Sequence, residues 1–111
     1  MKQYALTINL VNDPEKIEQY KDYHRNVWPE VQECLKAVGI VKMDIFLLGR
    51  RMFMIIETPD TFELERDFGR LPDLNPRYSE WQTQMDVFQE KVPEAKAGEQ
   101  WALMERVYHL E

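Results

Sequence analysis

Apolar and polar residues alternate from the start of the chain, with Tyr4, Leu6, Ile8 and Leu10 falling on one side of a predicted strand over 4–11. Asn12-Asp13-Pro14 then offers a turn, a cap and a proline suited to the first helical position. Beyond it the period lengthens: Ile17, Tyr20, His24, Val27, Val31, Leu35 and Val38 recur at three- and four-residue intervals, which predicts a helix ending at Gly39. Pro29 lies inside this run. It disfavours helical geometry at Trp28 and removes one hydrogen bond, so the helix is expected to kink or restart there and to leave a place for a pocket wall.

Residues 40–48 and 52–58 are rich in branched and apolar side chains and flank Gly49-Arg50-Arg51, the pattern of a hairpin. Pro59-Asp60 is expected to cap a short helix carrying Phe62, Leu64 and Phe68, and a loop with Pro72 and Pro76 to follow it. A helix from about Pro76 to about Lys91 presents Trp81, Met85 and Phe88, turn formers fill 93–99, and 101–110 reads as a closing strand. Strand, helix, strand, strand, helix, strand is an α+β order: a ferredoxin-like split βαβ arrangement with extra helix in its second half, forming one domain over 1–111. Helices on one sheet face leave the other apolar and open. A second copy is the simple cover, so the expected assembly is a homodimer, a dimeric α+β barrel, with Ile8 and Met54 among the residues on the open face.

The 111 residues carry a formal charge of −6 and no basic cluster larger than Arg50-Arg51, which argues against nucleic acid as a partner. No stretch approaches the roughly 20 apolar residues of a membrane span, and no leader pattern opens the chain, so no membrane partner and a cytoplasmic location are expected. Cys34 is the one cysteine and reads as small core filler in a reducing compartment.

Candidate chemistry gathers in Tyr20 to Glu30. Helical spacing stacks Tyr20 above His24, with Trp28 following. A lone histidine on an amphipathic helix is more often packed than catalytic, and Tyr or Trp at helical spacing is usually core. Here, however, an imidazole titrating near neutrality, a phenol and the flat faces of Trp28 and Trp81 suit a sugar ring on which a proton is moved. Anomerisation needs an acid at the ring oxygen and a base at the anomeric hydroxyl, and no metal or organic cofactor. Zinc is disfavoured because the other histidine, His109, lies far along the chain and no Cys-x-x-Cys exists. No glycine-rich loop is present for a nucleotide.

The string Tyr23-His24-Arg25-Asn26-Val27-Trp28-Pro29-Glu30, the strand 52–57, Trp81 and the closing segment to Tyr108 resemble the L-rhamnose mutarotase family, whose members interconvert the anomers of 6-deoxy sugars. The resemblance implies that Tyr20 binds substrate and that His24 is the acid. It also implies sugar contacts at three further positions: Met43, where the rhamnose enzymes carry a tyrosine, and Glu80-Trp81, where they carry a tryptophan pair. The first-helix string from Tyr23 to Glu30 and the run from Pro93 to Trp101 are similar to the branch associated with L-fucose. They imply a monosaccharide mutarotase preferring L-fucose to L-rhamnose, with Glu80 or Asp44 reading a hydroxyl. Small dimeric α+β barrels also serve as oxygenases and as ligand-sensing modules, and both remain alternatives.

Overall fold

The computed structural model describes all 111 residues. Strand β1 (Lys2–Leu10) runs through the middle of an antiparallel sheet, and Leu6, Ile8 and Leu10 point together into the core. Its partner β3 (Arg51–Thr58) sets Met54 opposite Leu6 and Met52 opposite Ile8, so both strands bury the same face. Strand β2 (Lys42–Leu48) pairs with β3 through a tight turn at Gly49-Arg50, where Gly49 takes a φ of +62° that suits the first position of a primed hairpin turn. Two short strands, β4 (Gln89–Glu90) and β5 (Ala102–Leu103), share the far edge of β1, giving the order β2-β3-β1-β4 with β5 beside β1.

Four helices cover one face. Helix α1 (Pro14–Arg25) starts at Asp13, whose carboxylate accepts from the Glu15 and Lys16 amides, with Pro14 in the first turn. The amphipathic run restarts at Pro29, as its sequence requires. Trp28 is held at φ −57°, ψ 133°, the extended region to which a following proline confines a residue, and α2 (Pro29–Ala37) begins immediately after it. Gly39, at φ +109°, turns the chain out of α2 towards β2, and Phe62 and Pro59 pack against it. Helix α4 (Pro76–Phe88) is capped by Asn75, which accepts from the Arg77 amide.

Three elements differ from the sequence-based expectation. Helix α3 spans Leu64–Leu74, so Pro59-Asp60 does not cap it and Pro72 lies inside it rather than in a loop. The start is fixed by Asp67, a buried carboxylate that accepts from the Glu63 amide at 2.8 Å and is gripped by Arg66 and Arg70. Pro72 falls in the last turn, so it forgoes the one bond its amide would have donated to the Phe68 carbonyl, and the helix ends two residues later. Helix α4 stops at Phe88 because Gln89 and Glu90 leave it to pair with β1. The closing strand shrinks from 101–110 to Ala102–Leu103, followed by one more bond from the Met104 amide to the Ala5 carbonyl. Beyond that the chain is exposed, Val107, Tyr108 and Leu110 included, since alternation specifies a strand but not the edge on which it pairs.

The buried side chains form two adjoining clusters: one around Leu6, Met54, Ile56 and Phe62, the other around Ile8, Tyr20, Trp81 and Phe88. Cys34 is buried in the first, as core filler. Ile8 and Met54 belong to these clusters and face the helices, so they are not on the open sheet face. Alternation sets which residues share a face but not which face the helices cover. The open face carries Ala5, Phe53 and Ile55, with Phe46 and Leu48 of the edge strand well exposed. The architecture is the α+β, ferredoxin-like one that the element order implies.

Candidate active site

His24 sits in the last turn of α1, half-buried, with its ring stacked on Tyr20 at a centroid distance of 4.2 Å and an interplanar angle of 27°. The helical spacing of the two residues produces this stack directly. Nδ1 of His24 lies 3.0 Å from the Tyr20 carbonyl oxygen, which can only accept, so Nδ1 carries the proton of the bond. In the neutral ring Nε2 is therefore the free base. Burial, partly offset by that backbone bond, holds the imidazole below its ordinary pKa of 6.5, so the neutral form dominates at physiological pH. Burial also pushes the Tyr20 phenol up to about 12, with the Gln89 side chain pulling the other way, and its hydroxyl keeps its proton.

Trp81, buried on α4, meets His24 edge-on at 5.4 Å, and the half-buried Trp28 meets Trp81 edge-on at 5.2 Å. Tyr23 closes a further side of Trp81 at 5.8 Å. Four of the six residues singled out from sequence, Tyr20, His24, Trp28 and Trp81, thus form one aromatic cluster between α1, α2 and α4. Offset and edge-on ring pairs of this kind fix orientation as well as burying area.

Glu80 comes near the cluster indirectly. Its carboxylate is exposed and bonded at 2.5 Å to Arg77, whose guanidinium carbon lies 3.9 Å above the Trp28 ring. Met43 is not part of the cluster. It lines a cleft of about 1190 Å³ between the sheet, α3, α4 and the segment before β5, alongside Tyr4, Met54, Phe68, Tyr78 and Trp101. Tyr78 there is also pushed up to about 12 by burial. Arg77, Tyr23 and Tyr78 escaped sequence reading. Periodicity could mark Tyr78 as inward-facing, but nothing local in the chain pairs Arg77 with Trp28. No group of three or more His, Cys, Asp or Glu side chains converges to hold a metal ion, and no helix is long and apolar enough to cross a membrane.

The chain as a whole is similar to known proteins. The family model for L-rhamnose mutarotase matches residues 3–110. A UPF0734 protein of Dictyostelium discoideum is 47% identical over 113 residues, covering 99% of this chain and 90% of its own. The L-fucose mutarotase of Xanthomonas campestris pv. campestris is 31% identical over 116 residues, covering 99% of this chain and 89% of its own. Among solved structures, the L-rhamnose mutarotase of Formosa agariphila superposes with a TM-score of 0.72 over the whole of both chains at 19% identity, a likeness of fold.

Proposed function

Because the chain belongs to the L-rhamnose mutarotase family, and is thereby an isomerase-type sugar enzyme, we propose that it interconverts the α and β anomers of a 6-deoxy-L-hexose, L-fucose before L-rhamnose, with His24 moving the proton. The observation that carries the proposal is the anchored Nδ1 of His24. With that nitrogen committed to the Tyr20 carbonyl, Nε2 is the atom left to exchange a proton with a ligand, and it does so as a base in the neutral ring.

The chemistry balances with groups at hand. Nε2 takes the proton of the anomeric hydroxyl, the O1 electrons form the C1 carbonyl, the C1–O5 bond breaks, and O5 takes a proton. O1 and O5 are both bonded to C1, so donor and acceptor must stand side by side, as the stacked Tyr20 and His24 rings do. The Tyr20 hydroxyl, kept protonated, is the donor in this scheme, so His24 starts as the base rather than as the acid that the family resemblance implies, and serves as the acid in the reverse transfer. Rotation about C1–C2 and the reverse transfer close the ring on its other face. The half-buried Trp28, backed edge-on by the buried Trp81, supplies a flat surface for the C–H side of the sugar. The imidazolium formed in the step starts from a ring already below its ordinary pKa, which favours returning the proton quickly.

The preference for L-fucose rests on relatedness over the full chain to a protein bearing that activity. A homodimer, joined across the open sheet face by a two-fold axis, covers Phe46, Leu48, Phe53 and Ile55 in the same reading. Exchange spectroscopy on the anomeric protons of L-fucose and L-rhamnose tests the substrate claim. Faster exchange of L-fucose is the expected result, equal or reversed rates overturn the preference, and no exchange of either sugar overturns the activity.

A further inference from the structure

Arg77 is the best-held exposed cation near the cluster. Its Nε lies 3.2 Å from Glu30 at the start of α2, its Nη1 lies 2.5 Å from Glu80 one turn along α4, and its guanidinium carbon lies 3.9 Å from the centroid of the Trp28 ring. A guanidinium forked between two carboxylates has its plane fixed, and a plane fixed over an indole fixes the indole in turn. Trp28 needs such a hold. It stands in the break between α1 and α2, with no capping bond from its own side chain, and meets Trp81 edge-on.

We propose that Arg77 is a positioning residue, clamped by Glu30 and Glu80, that presses the Trp28 indole into the place where it meets the sugar. Glu80 thereby acts through Arg77 rather than by reading a sugar hydroxyl. The two roles for Glu80 make opposite demands: a carboxylate that reads a hydroxyl discriminates between sugars differing there, whereas one that anchors Arg77 affects every sugar packed on Trp28 alike. The role towards the sugar rests on the proposed mutarotase activity; the hold on Trp28 does not.

Two variants separate these outcomes. Arg77→Lys keeps the charge and loses the planar fork, and Glu80→Gln removes one arm of the clamp while Glu30 remains. Both positions are exposed, so the fold is expected to survive, with a melting temperature close to wild type. In the sugar-free protein the indole N–H resonance of Trp28, one of three in the chain and assigned by its loss in Trp28→Phe, should shift in both variants. The KM for L-fucose and for L-rhamnose should rise together by about two- to fivefold, as expected for loss of a cation–π hold, with kcat little changed. An unmoved Trp28 resonance in Arg77→Lys overturns the positioning role. A moved resonance with unchanged KM overturns its link to the sugar. A change in the L-fucose to L-rhamnose ratio in Glu80→Gln, with Trp28 unmoved, overturns the anchor and makes Glu80 a direct contact. If the wild type exchanges neither sugar, the mutarotase reading falls together with the role of Arg77 towards the sugar, and the sugar-free spectrum still decides whether Arg77 holds Trp28.

Discussion

His24 and Asp67 show how one side chain's surroundings become measurable properties. The folded pKa of His24 lies below 6.5, so the unfolded chain binds the extra proton first as pH falls. Stability from the neutral ring is fully present above 6.5 and is lost as pH falls through the folded value. A base at Nε2 gives activity the same direction. The rate of anomeric exchange should hold near neutrality and fall on acidification, with a midpoint below 6.5, as a pH–rate profile would show; a midpoint above 6.5 contradicts the buried, backbone-anchored imidazole. Asp67 is held down to about pKa 2, first by Arg66, then by the Glu63 amide. Its contribution is present above the ordinary value of 3.8 and is lost as pH falls through about 2. Asp67→Asn should lower the melting temperature at pH 7 and flatten its dependence on pH between about 4 and 2, which calorimetry across that range would detect. Sequence made His24 visible because its neighbours recur at helical spacing. Asp67 stayed hidden, since a carboxylate among arginines reads as solvated surface until the fold buries it.

The elements most legible in sequence were those whose reasons are local. The break at Trp28-Pro29, the cap at Asp13 and the glycine turn at Gly49 each follow from the backbone preferences of one or two residues. Gly39 belongs with them. At φ +109° an alanine is strained whatever space surrounds it, so Gly39→Ala should destabilise by about 1–3 kcal/mol, read as a fall in the urea midpoint with unchanged slope. By contrast, Ile8→Ala deletes side-chain volume from a fully buried position under the helices and should cost about 2–5 kcal/mol. The elements misjudged were those settled by distant partners. Asp67 begins α3 from inside the helix, β1 pulls Gln89 and Glu90 out of α4, and the last strand finds only two residues of β1 edge. The candidate site divides in the same way. Tyr20 and His24 meet because they share one helix. Met43 was placed beside them by family resemblance alone, and the fold sends it into the cleft with Tyr78 and Trp101.

At the scale of the whole molecule, one sheet face is covered by helices and the other presents Phe46, Leu48, Phe53 and Ile55, while the exposed apolar tail around Val107 and Tyr108 follows β5. In the proposed dimer the four sheet residues are buried, and light scattering at micromolar concentration should give twice the 13.4 kDa chain mass. Phe46→Glu with Ile55→Glu should shift that mass to one chain, since an unpaired charge is disfavoured in an apolar interface. A folded wild-type monomer at that concentration contradicts the assembly. The catalytic account stands on a narrower point: that His24, fixed by Tyr20 and walled by Trp81, moves the proton between anomers. Anomeric exchange of L-fucose should therefore be compared for wild type and His24→Ala, with circular dichroism showing both folded. The account predicts clear exchange in the wild type and a loss of about 10² to 10⁴ in the variant; a folded variant that retains the wild-type rate contradicts it.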